Sequence, residues 1–118
     1  METFLSPVNG LIGTVMYGKT TYFRKSFRRH TYKSEFSVAG VMSLPRVNIV
    51  YDCADMPADL IGCSVASGAK GIVIAGDGNG NMNAAAIETA SRAAGQGIII
   101  VRSSRVSTGT VGRNIEKE

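Results

Sequence analysis

The chain has 118 residues, 44% of them hydrophobic and 19% charged, a balance that excludes disorder by composition and fits one globular domain or part of one. No apolar run approaches the ~20 residues needed to cross a bilayer, and the start, Met1-Glu2-Thr3-Phe4, lacks the basic and apolar regions of a signal peptide. The net charge of +4 is local, because Lys19, Arg24, Lys25, Arg28, Arg29 and Lys33 have no acid among them between Glu2 and Glu35.

In chain order, residues 11 to 23 predict a β-hairpin: Leu-Ile-Gly-Thr-Val-Met, a turn at Tyr17-Gly18-Lys19, then Thr-Thr-Tyr-Phe, with β-branched and aromatic residues on both arms. A two-stranded ribbon is marginal in water, so these strands are expected to add to a larger sheet that this chain does not encode. From Arg24 to Leu44 there is no sustained periodicity, and cations alternate with Phe27, Tyr32 and Phe36. This reads as a basic linker. Cations beside stackable rings also suit nucleic acid, but no helix or strand is predicted to present them, so that partner is not expected.

After Pro45 the pattern turns regular. Residues 46 to 51 read as a short buried strand, and Pro57 to Ser67 as a helix with Pro57 at its first position and Gly68 as its stop. Gly71 to Ala75 is a second strand, Asn81 to Ala94 a second helix, and Gly97 to Arg102 a third strand. This alternation is the pattern of βαβ units and predicts a small α/β domain of flavodoxin-like, three-layer type around a parallel sheet. On the second helix Ala84, Ile87, Ser91 and Ala94 share a face, and Glu88 can pair with Arg92. Cys53 and Cys63 are ten positions apart, too wide for a metal or redox pair; they are expected to be buried as small hydrophobes, with a disulfide as the other option.

Function should be sought at Gly76-Asp77-Gly78-Asn79-Gly80-Asn81, which joins the second strand to the second helix. Its glycines permit positive φ and close approach to the main chain, and a helix start attracts anions. The dinucleotide fingerprint nevertheless fails: Asn81 stands where the third glycine is needed, and Arg102 and Ser103 where an acid should close the next strand. A phosphate contact of another kind stays open.

Gly78-Asn79-Gly80-Asn81, followed after one helix by Val101-Arg-Ser-Ser-Arg-Val106-x-Thr-Gly109, resembles the C-terminal part of bacterial L-asparaginases and glutaminase-asparaginases. His30-Thr31, Ser43-Leu44-Pro45-Arg46-Val47, Ile49-Val50-Tyr51 and Gly71-Ile72-Val73 are similar to that family in the same order. The resemblance implies a two-domain, homo-oligomeric amidohydrolase that converts L-asparagine, and often L-glutamine, to the free acid and ammonia, with no cofactor and no metal. It further implies that residues 1 to 24 are the hairpin tail of an N-terminal asparaginase domain, 25 to 44 the linker and 45 to 118 a truncated C-terminal domain. The family's nucleophile is a threonine in a Thr-Gly-Gly-Thr motif of the N-terminal domain, absent from this chain, so no catalytic residue is expected here and the chain is expected to be inactive alone.

Two substrate-binding positions are implied. Asn81 matches the residue that reaches the substrate's α-amino and α-carboxylate groups across a dimer interface, and Glu116 matches a glutamate that pairs with the ammonium. Both have plainer readings. Asparagine at 79 or 81 is a good helix cap, and Glu116 is the third residue from the end of the sequence. The family continues through a further strand and helix where this sequence stops, and Tyr51-Asp52-Cys53-Ala54 replaces a more aromatic stretch. A type II-like protein would be periplasmic, and otherwise cytoplasmic. The competing reading is a non-catalytic module that holds an anion or amino acid on the 76 to 81 loop.

Overall fold

The computed structural model describes residues 10 to 106 and 111 to 113. The described residues fall into two compact units that divide between Met42 and Ser43.

The first unit holds an antiparallel hairpin, β1 (Gly13–Met16) and β2 (Lys19–Tyr22), in the register Gly13 to Tyr22 and Met16 to Lys19. Tyr17 and Gly18 both have positive φ, 49° and 74°, which is the backbone of a tight two-residue turn whose twist matches the strands. Gly13 is required by crowding, since a Cβ there would lie 2.4 Å from the Thr21 carbonyl oxygen. No third strand joins the hairpin among the described residues. The basic stretch contains one 3₁₀ turn, Thr31–Lys33, and Phe27, Tyr32 and Phe36 in it are exposed.

The second unit is a parallel sheet in the order β3 (Val47–Tyr51), β4 (Gly71–Gly76), β5 (Ile99–Ser104), with α1 (Asp59–Ala66) and α2 (Ala84–Gly95) as the crossovers. The α/β parallel-sheet architecture expected from the alternation is therefore present. The registers align Val47 with Gly71 and Ile99, and Val50 with Ile74 and Arg102. Because side chains alternate along a strand, this register divides the sheet cleanly. Val50, Ile72 and Ile74 are buried with Ile61 of α1 and Ala86 and Ala90 of α2, so both helices pack on one face. The other face exposes Val47, Ile49, Tyr51, Ile99 and Val101. Of three expected layers the described residues supply two.

Several boundaries differ from the sequence reading. Helix α1 begins at Asp59, with Pro57 just ahead of the Ala58 cap and not at the first helical position. Helix α2 begins three residues later than Asn81, because Asn83 is its cap. Its buried face is Ala86, Ala90 and Ala93, one step round from Ala84, Ile87, Ser91 and Ala94. The Glu88–Arg92 pair forms at 2.6 Å on the exposed side. Cys53 and Cys63 are exposed free thiols, which corrects the expectation of burial or a disulfide. The reason at Cys63 is helical phase: the buried positions of α1 are Ile61 and Ser64, and Cys63 is rotated about 200° from Ile61. No helix among the described residues is long and apolar enough to cross a membrane.

Candidate functional site

The loop after β4 closes on itself. The Asp77 amide donates to the Asn81 carbonyl at 2.9 Å, and the Asn81 amide donates back to the Asp77 carbonyl at 2.8 Å. The Gly80 amide shares that carbonyl at 2.8 Å, and the Gly78 amide donates to Asp77 Oδ1 at 3.1 Å. Such a small ring needs positive φ at Gly78 and Gly80, 48° and 81°. It also needs a bare Cα at Gly76, where a Cβ would meet the Asn81 oxygen at 2.5 Å. Four loop amides are thus consumed internally, so the loop is not the open anion cradle that its glycine spacing suggests.

The end of β5 holds this ring in place. Ser104 Oγ donates to the Gly78 carbonyl at 2.7 Å, the Arg105 amide donates to the Gly76 carbonyl at 2.9 Å, and the Arg105 guanidinium lies 3.4 Å from the Asp77 carboxylate. Asn79 reaches the segment after β5: its Oδ1 accepts from the Gly112 amide at 2.7 Å, and Arg102 Nη2 donates to the Gly112 carbonyl at 2.7 Å.

Neither Asn79 nor Asn81 caps α2. Asn83 does so, accepting from the Ala86 amide at 2.9 Å, and its Nδ2 donates to the Met56 carbonyl at 2.9 Å, tying the helix start to the loop after β3. The sequence signal for this is an asparagine directly before three alanines, two residues beyond the last asparagine of the glycine loop. Asn81 is left as the exception among the three: its carboxamide is exposed and has no hydrogen-bond partner among the described residues, while its backbone is held on both sides. Asp52, at the end of β3, is buried with Oδ1 unpartnered among the described residues. Glu116, the other expected binding residue, lies outside the described residues. No cluster of three metal-ligating side chains occurs among the described residues.

Residues 46–118 match the family model of the glutaminase/asparaginase C-terminal domain. This chain belongs to that family. The asparaginase-family chain is 39% identical over 116 residues to the probable periplasmic L-asparaginase of Haemophilus influenzae, covering 98% of this chain and 33% of the relative. It is 41% identical over 119 residues to L-asparaginase 2 of Escherichia coli, with 98% and 33% covered, and 41% identical over 111 residues to the glutaminase-asparaginase of Acinetobacter glutaminasificans, with 92% and 34% covered. The chain therefore spans about a third of the length of the curated relatives it matches. The resemblance read from the motifs at 78 to 81 and 101 to 109 agrees with this membership.

Proposed function

We propose that this chain is the C-terminal part of an L-asparaginase-type amidohydrolase and supplies contacts to the substrate's amino-acid head group across a dimer interface. The observation that carries the proposal is Asn81. Its main chain is locked by two hydrogen bonds to Asp77, and its side chain is exposed and unpartnered among the described residues. A carboxamide presented in this way can donate to a carboxylate and accept from an ammonium, the two charges of an amino-acid head group. Glu116 is the second proposed contact, a carboxylate for the ammonium.

These groups orient the substrate; they do not attack it. The hydrolysis of asparagine, in which water replaces ammonia on the side-chain carbonyl, needs a nucleophile that we place in the remaining two-thirds of the protein. The names of the relatives support L-asparagine as substrate, with L-glutamine as a second, and that of the Haemophilus influenzae protein supports a periplasmic compartment.

The test has two arms. The purified chain incubated with asparagine is expected to release no ammonia, and release would overturn the assignment of the nucleophile elsewhere. A chimera in which this chain replaces the matching third of the Escherichia coli relative is expected to release ammonia. In that chimera Asn81→Ala should raise KM about tenfold, the loss of one or two charge-assisted hydrogen bonds. An unchanged KM would remove Asn81 from the site.

A further inference from the structure

We infer that Ser104, the last residue of β5, is a positioning residue for this amino-acid site and fixes where Asn81 presents its carboxamide; the inference rests on the head-group proposal above. The two hydrogen bonds between Asp77 and Asn81 close the ring, and those of the Gly78 and Gly80 amides complete its shape. They do not fix its tilt, because each of these bonds begins and ends inside the ring. The direction in which Asn81 faces therefore depends on what joins the ring to the sheet.

Three polar contacts from the end of β5 make that join. The Arg105 amide on the Gly76 carbonyl holds the root, one residue before the ring begins, and leaves the tip free to swing. The Arg105 guanidinium reaches the Asp77 carboxylate at 3.4 Å, but the two side chains are 40% and 65% exposed, so water screens the pair. Ser104 Oγ donates to the Gly78 carbonyl at 2.7 Å, and Gly78 is at the tip, three residues before Asn81. The tip has no packing of its own, since nothing lies within 4 Å of where a Cβ on Gly78 would be. Gly80 does abut Arg102, where a Cβ would fall 2.7 Å from Cγ. That contact stops the ring from moving closer to β5, whereas only an attraction stops it from lifting away.

The Ser104 hydroxyl is itself held still. A carbonyl can only accept, so the Oγ proton goes to Gly78, and a lone pair on the same oxygen accepts from the Val106 amide at 3.1 Å. One oxygen thus spans the loop after β4 and the turn after β5, and the Ser104 main chain sits in the parallel ladder opposite Gly76. The consequence for the site is geometric. A head group brings two charges to one carboxamide, so a tilt that displaces the amide by about 1 Å spoils both contacts together. Without the hydroxyl, Asn81 would keep its place in the ring and lose its aim.

The experiment has two parts. In the full 118-residue chain, labelled with ¹⁵N, the backbone order parameters of Gly78 to Asn81 report the ring. Ser104→Ala is expected to lower them from the rigid value of about 0.85 toward about 0.6, and Ser104→Thr, which keeps the hydroxyl, to leave them high. In the chimera with the Escherichia coli relative, Ser104→Ala is expected to raise KM for asparagine about fivefold, the worth of one neutral hydrogen bond, with kcat held within about twofold. Ser104→Thr is expected to restore KM. Because Ser104 acts through Asn81, Ser104→Ala is expected to add nothing further in the Asn81→Ala background. A further rise of about fivefold there would overturn the inference. So would order parameters that do not fall, a KM in Ser104→Ala equal to that of the unsubstituted chimera, or equal losses in Ser104→Ala and Ser104→Thr; each of these leaves the head-group proposal standing. An unchanged KM in Asn81→Ala, or a chimera that releases no ammonia, would sink the head-group proposal and this inference together.

Discussion

Gly80 shows how tightly one residue can be specified. Its φ of 81° disfavours any side chain, and the space where a Cβ would sit is taken by Arg102. Gly78 has a positive φ of 48° but nothing within 4 Å of its missing Cβ. Backbone strain alone costs about 1–2 kcal/mol, so Gly78→Ala should destabilise by about that amount. Gly80→Ala should cost about 1–3 kcal/mol more, since Arg102 must also move off the loop. Urea unfolding of the two variants measures the difference, and equal midpoints would show that the contact is relieved without cost. The two glycines have the same standing in the sequence, two members of one alternating run. What separates them is a neighbour 22 positions further along the chain.

At the scale of an element, α2 is legible as a helix from its alanine-rich run, yet it starts three residues later than the sequence predicts. The reason is that any of Asn79, Asn81 and Asn83 can serve as a cap, and only the geometry chooses. Asn83 takes the role because the ring between Asp77 and Asn81 must close before the helix can begin. Replacing Asn83 with alanine should remove the cap and the bond to Met56, lowering stability by about 1–2 kcal/mol, whereas Asn81→Ala should change it by less than about 0.5 kcal/mol. Thermal unfolding followed by circular dichroism distinguishes them. In the chimera the same pair of variants should behave in reverse toward asparagine, with Asn81→Ala the one that raises KM. The misplaced Cys63 has a similar origin: apolar periodicity locates a helix well but leaves its rotation uncertain by a residue, and one residue is about 100°.

For the second unit as a whole, the decisive feature is the one-sided sheet. Val47, Ile49, Tyr51, Ile99 and Val101 form an apolar face opposite the helices. Exposed apolar surface on this scale favours self-association, and among the described residues β3 is also an edge strand. Ile49→Lys places a charge at 62% exposure, so it should alter unfolding free energy by less than about 0.5 kcal/mol while delaying the onset of light scattering on concentration. Onset at the same concentration would show that the face contributes nothing to association. From sequence the strands read as buried on both faces, because an apolar run of this length carries no sign of which side is covered.

The sequence by itself determined the order of elements, the parallel sheet and the position of the glycine loop, since these follow from local periodicity and from glycine and proline punctuation. Its motifs also determined the asparaginase resemblance. Tertiary structure alone decided which asparagine does what. Asn83 caps α2, Asn79 holds Gly112 and Asn81 is left exposed, because these roles depend on contacts with Met56, Gly112 and Arg102 that residues far apart in the chain make only once the strands are side by side.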